Sequence, residues 1–262
     1  MEIQPNFNFN QFDIKLETET IGRNFLYFNE IDSTNSVLKD KSSKNVNGTV
    51  VFAEKQKAGK GRFNSFWESE KGQNLTFSIL LNIDKNYKDK LNLLNLGTAQ
   101  VLASTLESIF HLNVEVKWPN DILIKKKKVA GILVETVSLG ADIKKAVIGI
   151  GLNVNQTLFA GEYNYPPTSL RLELSQSVER EKILAEFLNN FEELLLKIKH
   201  KPNSVMQSWR EKCDMIGEKI CLNQNGKLKY GVFDDVDENG QMLLKTEQGI
   251  EIINYGDARV VH

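Results

Sequence analysis

Hydrophobic residues recur at helical spacing in two long stretches of the chain. Between residues 89 and 110, Leu91, Leu94, Leu102, Leu106 and Ile109 share one face, which predicts a helix with a buried stripe. From about residue 178 to 199, Leu184, Phe187, Leu188, Phe191, Leu195 and Ile198 repeat the pattern. Glu179 and Glu181 open that second helix, and Lys197, Lys199 and Lys201 close it, as the helix dipole favours. Pro202 then stops it. A third, short helix is predicted where the capping cluster Asp32-Ser33-Thr34-Asn35 precedes Val37 and Leu38.

Strand signals fill the intervals. Residues 49–53, 75–81, 114–118, 129–136 and 146–150 are short, apolar or β-branched, and bounded by polar residues or glycine. Strands and helices that do not alternate regularly predict an α+β fold, a mixed sheet with helices packed on one face. After Trp209 the pattern changes to short strands at 219–222, 227–233, 241–245 and 250–254. Asn225-Gly226, Asn239-Gly240 and Gln248-Gly249 lie between them and supply the positive φ that tight hairpins need. This predicts a small β-barrel joined near residues 212–216, hence two units, 1–212 and 213–262. The first thirty or so residues, rich in Asn, Gln and Phe, show no helical period and read as an extension supplying an edge strand.

Composition narrows the function classes. With 41% hydrophobic and 26% charged residues, the chain can bury a core and is not disordered. Thirty-three basic residues balance thirty-four acidic ones, so no global charge draws it to nucleic acid or anionic lipid. No apolar run approaches the ~20 residues of a membrane span, and the first residues lack the pattern of an export signal. Cys213 and Cys221 are too few for a disulfide framework or a metal cage. A cytoplasmic location is expected.

Four segments carry possible chemistry. Gln56 to Asn64 contains Gly59 and Gly61 with Lys60 and Arg62, so backbone N–H groups and cations could meet an oxyanion; a solvated basic loop is the alternative. Lys117-Trp118-Pro119-Asn120-Asp121 ends a strand, where Lys117 could meet a phosphate and Asp121 a magnesium ion; a plain turn explains it equally. Lys125 to Lys127 read as a solvated turn, whereas Lys128 opens an apolar strand with Gly131 beside it. Gly149 and Gly151 leave a flat patch against which a ring can rest, and Asn153 offers donor and acceptor to a purine edge; a bulge is the structural alternative. The histidines lie far from any nucleophile context, so a hydrolytic triad is not expected.

In this order the segments resemble biotin protein ligases. The matching stretches are Asp32 to Asn35, Gln56 to Arg62 with Trp67, Lys117 to Asp121, Lys128 to Glu135, Gly149 to Asn153 and Pro167 to Leu170, followed by the small barrel. The resemblance implies a class II synthetase-like catalytic domain with an SH3-like barrel. It implies biotin contacts from Ser33, Thr34, Asn35, Gln56, Gly59, Gly61, Arg62, Trp67, Lys128 and Gly131. ATP would meet Arg62, Lys117, Asn120, Asp121, Lys128 and Asn153, with magnesium at Asp121. Lys128 and Arg62 would carry the catalysis.

The implied reaction joins biotin to ATP as biotinyl-5′-AMP, then passes biotin to a lysine of a biotin carboxyl carrier protein. Two departures stand out. Phe63-Asn64-Ser65-Phe66 replaces further arginines and a glycine found in repressor-type members, and no amino-terminal DNA-binding module is recognised, so the chain resembles the monofunctional type. A lipoate or octanoate ligase on a related fold is the alternative reading. A regulator that holds the adenylate without transferring it is a third.

Overall fold

The computed structural model describes residues 7–40, 42, 44–161, 163 and 165–261. Its larger part is a seven-stranded mixed sheet of order β1-β2-β3-β7-β6-β5-β4. The strands are β1 (Phe25–Phe28), β2 (Val50–Ala53), β3 (Leu75–Asn82), β4 (Glu115–Lys117), β5 (Asp121–Ile124), β6 (Lys127–Leu139) and β7 (Asp142–Leu152). Only β1 and β2 run parallel; the other neighbours are antiparallel.

Alternation along the strands divides the sheet's two faces. Phe77 and Ile79 of β3 and Ile148 and Ile150 of β7 point to one side and join the main core. On that side lie the long helices α3 (Leu91–Phe110) and α5 (Arg180–His200), as their apolar stripes require. Each such side chain, fully buried, contributes roughly 1.5–3 kcal/mol. The opposite face carries the short α2 (Thr34–Lys39), whose Leu38 packs on Val51, Leu80 and Val147. Beside α2, Thr76, Gly149 and Gly151 of that face line a cavity.

Four departures from the sequence pattern have local causes. The leading segment contains a helix, α1 (Phe9–Lys15), capped by Asn8 accepting from the Gln11 amide. Only Phe12 of it is buried, so no period could be read; β1 behind it is the expected edge strand. Residues 118–120 form a turn, and the chain then re-enters the sheet as the unforeseen β5, with Lys117 opposite Asp121. Pro202 ends α5 and also opens a new helix, α6 (Pro202–Arg210), where proline suits the first turn. A five-residue helix, α4 (Leu170–Leu174), starts from Ser169, whose hydroxyl accepts from Leu172 N.

Residues after α6 form a five-stranded antiparallel sheet of order β11-β10-β9-β8-β12. Its strands are β8 (Lys219–Gln224), β9 (Lys227–Val236), β10 (Met242–Thr246), β11 (Gly249–Ile253) and β12 (Asp257–Val260). Asn225 and Gly226 take φ of 53° and 87° in the β8–β9 turn, as the Asn-Gly pair predicts. Phe233, Met242 and Leu244 join the same core as the seven-stranded sheet, and Phe233 meets Trp118 edge-on at 6.5 Å. Among the described residues, no helix is long and apolar enough to cross a membrane.

Candidate functional site

A cavity of about 590 Å³ opens on the α2 face of the large sheet. One end is a hydrogen-bonding network whose cavity-lining members, Ser33, Thr34, Asn35 and Gln56, are uncharged. Thr34 donates from both N and Oγ1 to Gln56 Oε1, at 2.7 and 3.0 Å. Ser78 Oγ stands 2.6 Å from Thr34 Oγ1 and 2.5 Å from Asn35 Oδ1. Asn35 Nδ2 donates to Glu135 Oε2 at 2.8 Å. Ser33 caps α2 without spending its hydroxyl on the helix, and it lines the cavity. Gly149 makes the arrangement possible: a Cβ there would stand 2.3 Å from Asn35 Oδ1.

The middle of the cavity is a shelf of paired glycines. Gly131 of β6 lies directly opposite Gly151 of β7, which in turn opposes Thr76 of β3. A ring does rest there, and it is the protein's own Trp67. A Cβ on Gly151 would come within 2.2 Å of Trp67 Cε2, and one on Gly131 within 3.3 Å of Trp67 Cζ3. Trp67 Nε1 and Thr76 Oγ1 are buried and have no hydrogen-bond partner.

Trp67 is carried there by the glycine-containing loop, which folds as a small hairpin. Trp67 N donates to Gly59 O at 3.0 Å and Gly61 N to Ser65 O at 2.7 Å. A tight turn at Arg62–Asn64, with Phe63 at φ 53°, reverses the chain. Gly59 is needed for close backbone approach, since a Cβ would stand 2.3 Å from Trp67 O.

The other end of the cavity is charged. Lys128 Nζ lies 2.6 Å from Asp121 Oδ1 and 5.6 Å from the centre of the Trp67 ring. Lys117 is 2% exposed and sits behind this pair, 3.8 Å from Asp121 and 2.8 Å from Asp257. Asp257 belongs to β12, so the small sheet closes this end. Burial alone would raise the pKa of Asp257, but Lys117 and Arg259 hold it below the usual carboxylate range. Arg62 Nη1 reaches Gly256 O at 3.4 Å. Burial lowers the pKa of its guanidinium, opposed by Asp121 and Asp257. Tyr165 lies under Lys117, whose Nζ is 4.7 Å from the ring centre.

Ser33, Thr34, Asn35 and Gln56 therefore meet at one end, Arg62, Asp121 and Lys128 at the other, with Gly61, Trp67, Asn120 and Gly131 on the walls between. Three expected residues are outside the lining. Gly59 faces the outer side of the loop. Lys117 acts from behind, through the carboxylates. Asn153 is committed elsewhere: its Nδ2 donates to Thr168 O at 3.0 Å and its backbone carbonyl accepts from Leu170 N at 3.1 Å, tying down residues 168–170. Asn120 lines the cavity, but its Nδ2 is spent on Ile132 O at 2.6 Å. Sequence reasoning missed Thr76, Ser78, Tyr165 and Asp257. The alternation of β3 could have pointed to Thr76 and Ser78; nothing in the pattern marked the other two.

Comparison with known proteins agrees with this geometry. The family model described as "Biotin/lipoate A/B protein ligase family" matches residues 27–153. The bifunctional ligase/repressor BirA of Bacillus spizizenii is 31% identical over 246 residues, 92% of this chain and 75% of the relative. The biotin–[acetyl-CoA-carboxylase] ligase of Mycobacterium tuberculosis is 25% identical over 88% of this chain and 85% of its own. Among solved structures, the biotin protein ligase of Aquifex aeolicus in complex with biotin and ATP superposes with a TM-score of 0.78. That pair shares 31% identity over 91% of this chain and 99% of the other.

Proposed function

The chain belongs to the biotin protein ligase family, and we propose that it activates biotin with ATP and transfers it to a lysine of a biotin carboxyl carrier protein. The observation that carries this reading is the polarity of one cavity. A neutral network of donors and acceptors occupies one end, a cluster of cations held by two carboxylates the other, and a glycine shelf spans them. A compact ureido bicycle suits the first end, and its carboxylate then reaches the second.

In the first step a biotin carboxylate oxygen attacks the α-phosphorus of ATP, and pyrophosphate leaves as the bond to the β-phosphate breaks. Two anions must approach, and Coulomb repulsion opposes them. Lys128, oriented by Asp121, and Arg62, anchored on Gly256 O, offset that repulsion with charge already in place. Lys117 completes the cluster from behind. In the second step a deprotonated lysine amine attacks the acyl carbon, AMP departs, and the amine loses its proton. Trp67 and its hairpin cover the shelf and exclude water from the anhydride.

Magnesium is expected to arrive with the nucleotide. The donor set fits an ion that draws most of its oxygen ligands from phosphate and water. Among the described residues no cluster of three metal-ligating side chains exists, while Asp121 and Asp257 line the cavity and could each supply one oxygen. When bound, the ion would neutralise phosphate charge.

Residues 1–212 act in this reading as the catalytic unit and 213–262 as a second unit that closes the nucleotide end through Gly256 and Asp257. The reaction is placed in the cytoplasm, where ATP and carrier proteins meet. A lipoate or octanoate substrate is disfavoured because the neutral end of the cavity is lined with hydrogen-bonding groups that an acyl chain would leave unpaired. Mass spectrometry of a purified carrier domain, incubated with the protein, biotin and Mg-ATP, tests the proposal. An ATP-dependent gain of one biotinyl group is expected; gain from lipoate in preference to biotin, or none, would refute it.

A further inference from the structure

Glu135 touches the site without facing the substrate. It stands on β6, and its two carboxylate oxygens take two different residues of α2: Nδ2 of Asn35 at 2.8 Å and Nζ of Lys39 at 2.5 Å. Asn35 and Lys39 are four residues apart, so both lie on the same side of the helix. One carboxylate thus ties α2, which carries Ser33, Thr34 and Asn35, to the strand that carries Lys128 and Gly131.

The consequence for Asn35 is chemical as well as mechanical. An asparagine amide can sit either way round, presenting donors or an acceptor to a given side. An ionised carboxylate accepts only, so Glu135 holds the NH2 group toward itself. Oδ1 is then forced toward Ser78 and the space left by Gly149. Ser78 uses one lone pair of that oxygen, and the other is available to an N–H donor in the cavity.

We infer that Glu135 is a positioning residue that fixes the amide orientation of Asn35, so that the biotin end of the cavity reads an N–H of a cyclic urea. The inference rests on the biotin reading of the site. It assigns Glu135 no contact with ATP or with the reacting atoms.

Glu135→Gln keeps the shape but offers both a donor and an acceptor, so Asn35 can turn over. Biotin binding by calorimetry is expected to weaken about tenfold, the loss of one charge-assisted hydrogen bond, while the KM for ATP stays within about twofold, below the smallest such loss. In an Asn35→Ala background the same change should have no further effect on biotin affinity, because Glu135 acts through Asn35. Glu135→Asp, which still only accepts, should recover part of the affinity. Equal losses in both backgrounds, an equal rise in the KM for ATP, or unchanged biotin affinity would each overturn the assignment. Wild-type protein that binds no biotin would overturn the biotin reading and this inference together; wild-type binding with an additive cycle would overturn this inference alone.

Discussion

The ammonium of Lys128 stands 2.6 Å from Oδ1 of Asp121, across the β5–β6 pair. This contact holds a flexible side chain at the cavity floor, where its charge costs no reorganisation during reaction. Lys128→Ala should lower the rate of adenylate formation by about 10²–10³, as for loss of one preorganised donor. Pyrophosphate release measured with biotin and ATP but no carrier isolates that step. A variant forming adenylate at near wild-type rate would remove Lys128 from the role.

The glycine shelf predicts a rank order. Alanine at Gly149 meets Asn35 Oδ1 at 2.3 Å, and alanine at Gly151 meets the Trp67 ring at 2.2 Å. Neither neighbour is the loose end of a flexible chain. Alanine at Gly131 meets chiefly Lys128 Cε and Nζ at 3.2 and 3.3 Å, which can move. Biotin affinity should fall about tenfold or more for Gly149→Ala and Gly151→Ala, the range for overpacking a fitted site, and less for Gly131→Ala. Calorimetric titration of the three variants checks the order, and a larger loss at Gly131 would contradict it.

The parts of the fold that could be read from the chain are those where one physical signal dominates. The stripes of α3 and α5 are long enough to show their period, and glycine at 149 and 151 marks close approach because a Cβ there would run into Asn35 or Trp67. Residues 9–15 and 121–124 failed for the opposite reason. The first buries a single side chain, and the second is buried throughout and lies against a proline turn, so neither displays a pattern. Asn153 shows the limit of reading chemistry from residue type: an amide suits a purine edge and a backbone carbonyl equally, and only the fold decides between them. Asp257 and Tyr165 enter the site from segments far along the chain, and local sequence carries no trace of that meeting.

The pairing of Lys117 with Asp257 predicts a pH dependence. The carboxyl pKa of Asp257 is lowered in the folded chain, burial being outweighed by Lys117 and Arg259. Its contribution to stability is therefore fully present above the unfolded value near 4. It is lost as pH falls through the folded value. Asp257→Asn should lower Tm by about 2–4 °C at neutral pH, the shift of roughly 1 kcal/mol in a chain this size. The gap to wild type should narrow on acidification below about pH 4. Thermal unfolding of both proteins across that range measures it, and a gap that widens in acid would refute the pairing.

The glycine hairpin is fastened to the small sheet at two points. Arg62 donates to Gly256 O, and the Phe63 ring lies 6.2 Å from that of Tyr255, tilted by 52°. Phe63 is half exposed, and its ring also lies 4.9 Å from the Arg62 guanidinium, so Tyr255 packs against the same tip of the hairpin that Arg62 anchors. Such a pair contributes about 0.5–1.5 kcal/mol, enough to bias the hairpin between closed and open. Tyr255→Ala should therefore raise amide hydrogen exchange in residues 60–66 by about two- to tenfold, the range that energy implies. Loss of biotinyl-adenylate to water should rise in the same proportion, because Trp67 rides on the same hairpin. Tyr255→Phe keeps the ring and should behave as wild type in both measurements. If exchange in the hairpin stays unchanged while adenylate leaks faster, the latch is not the cause, and the contact between Arg62 and Gly256 holds the loop on its own.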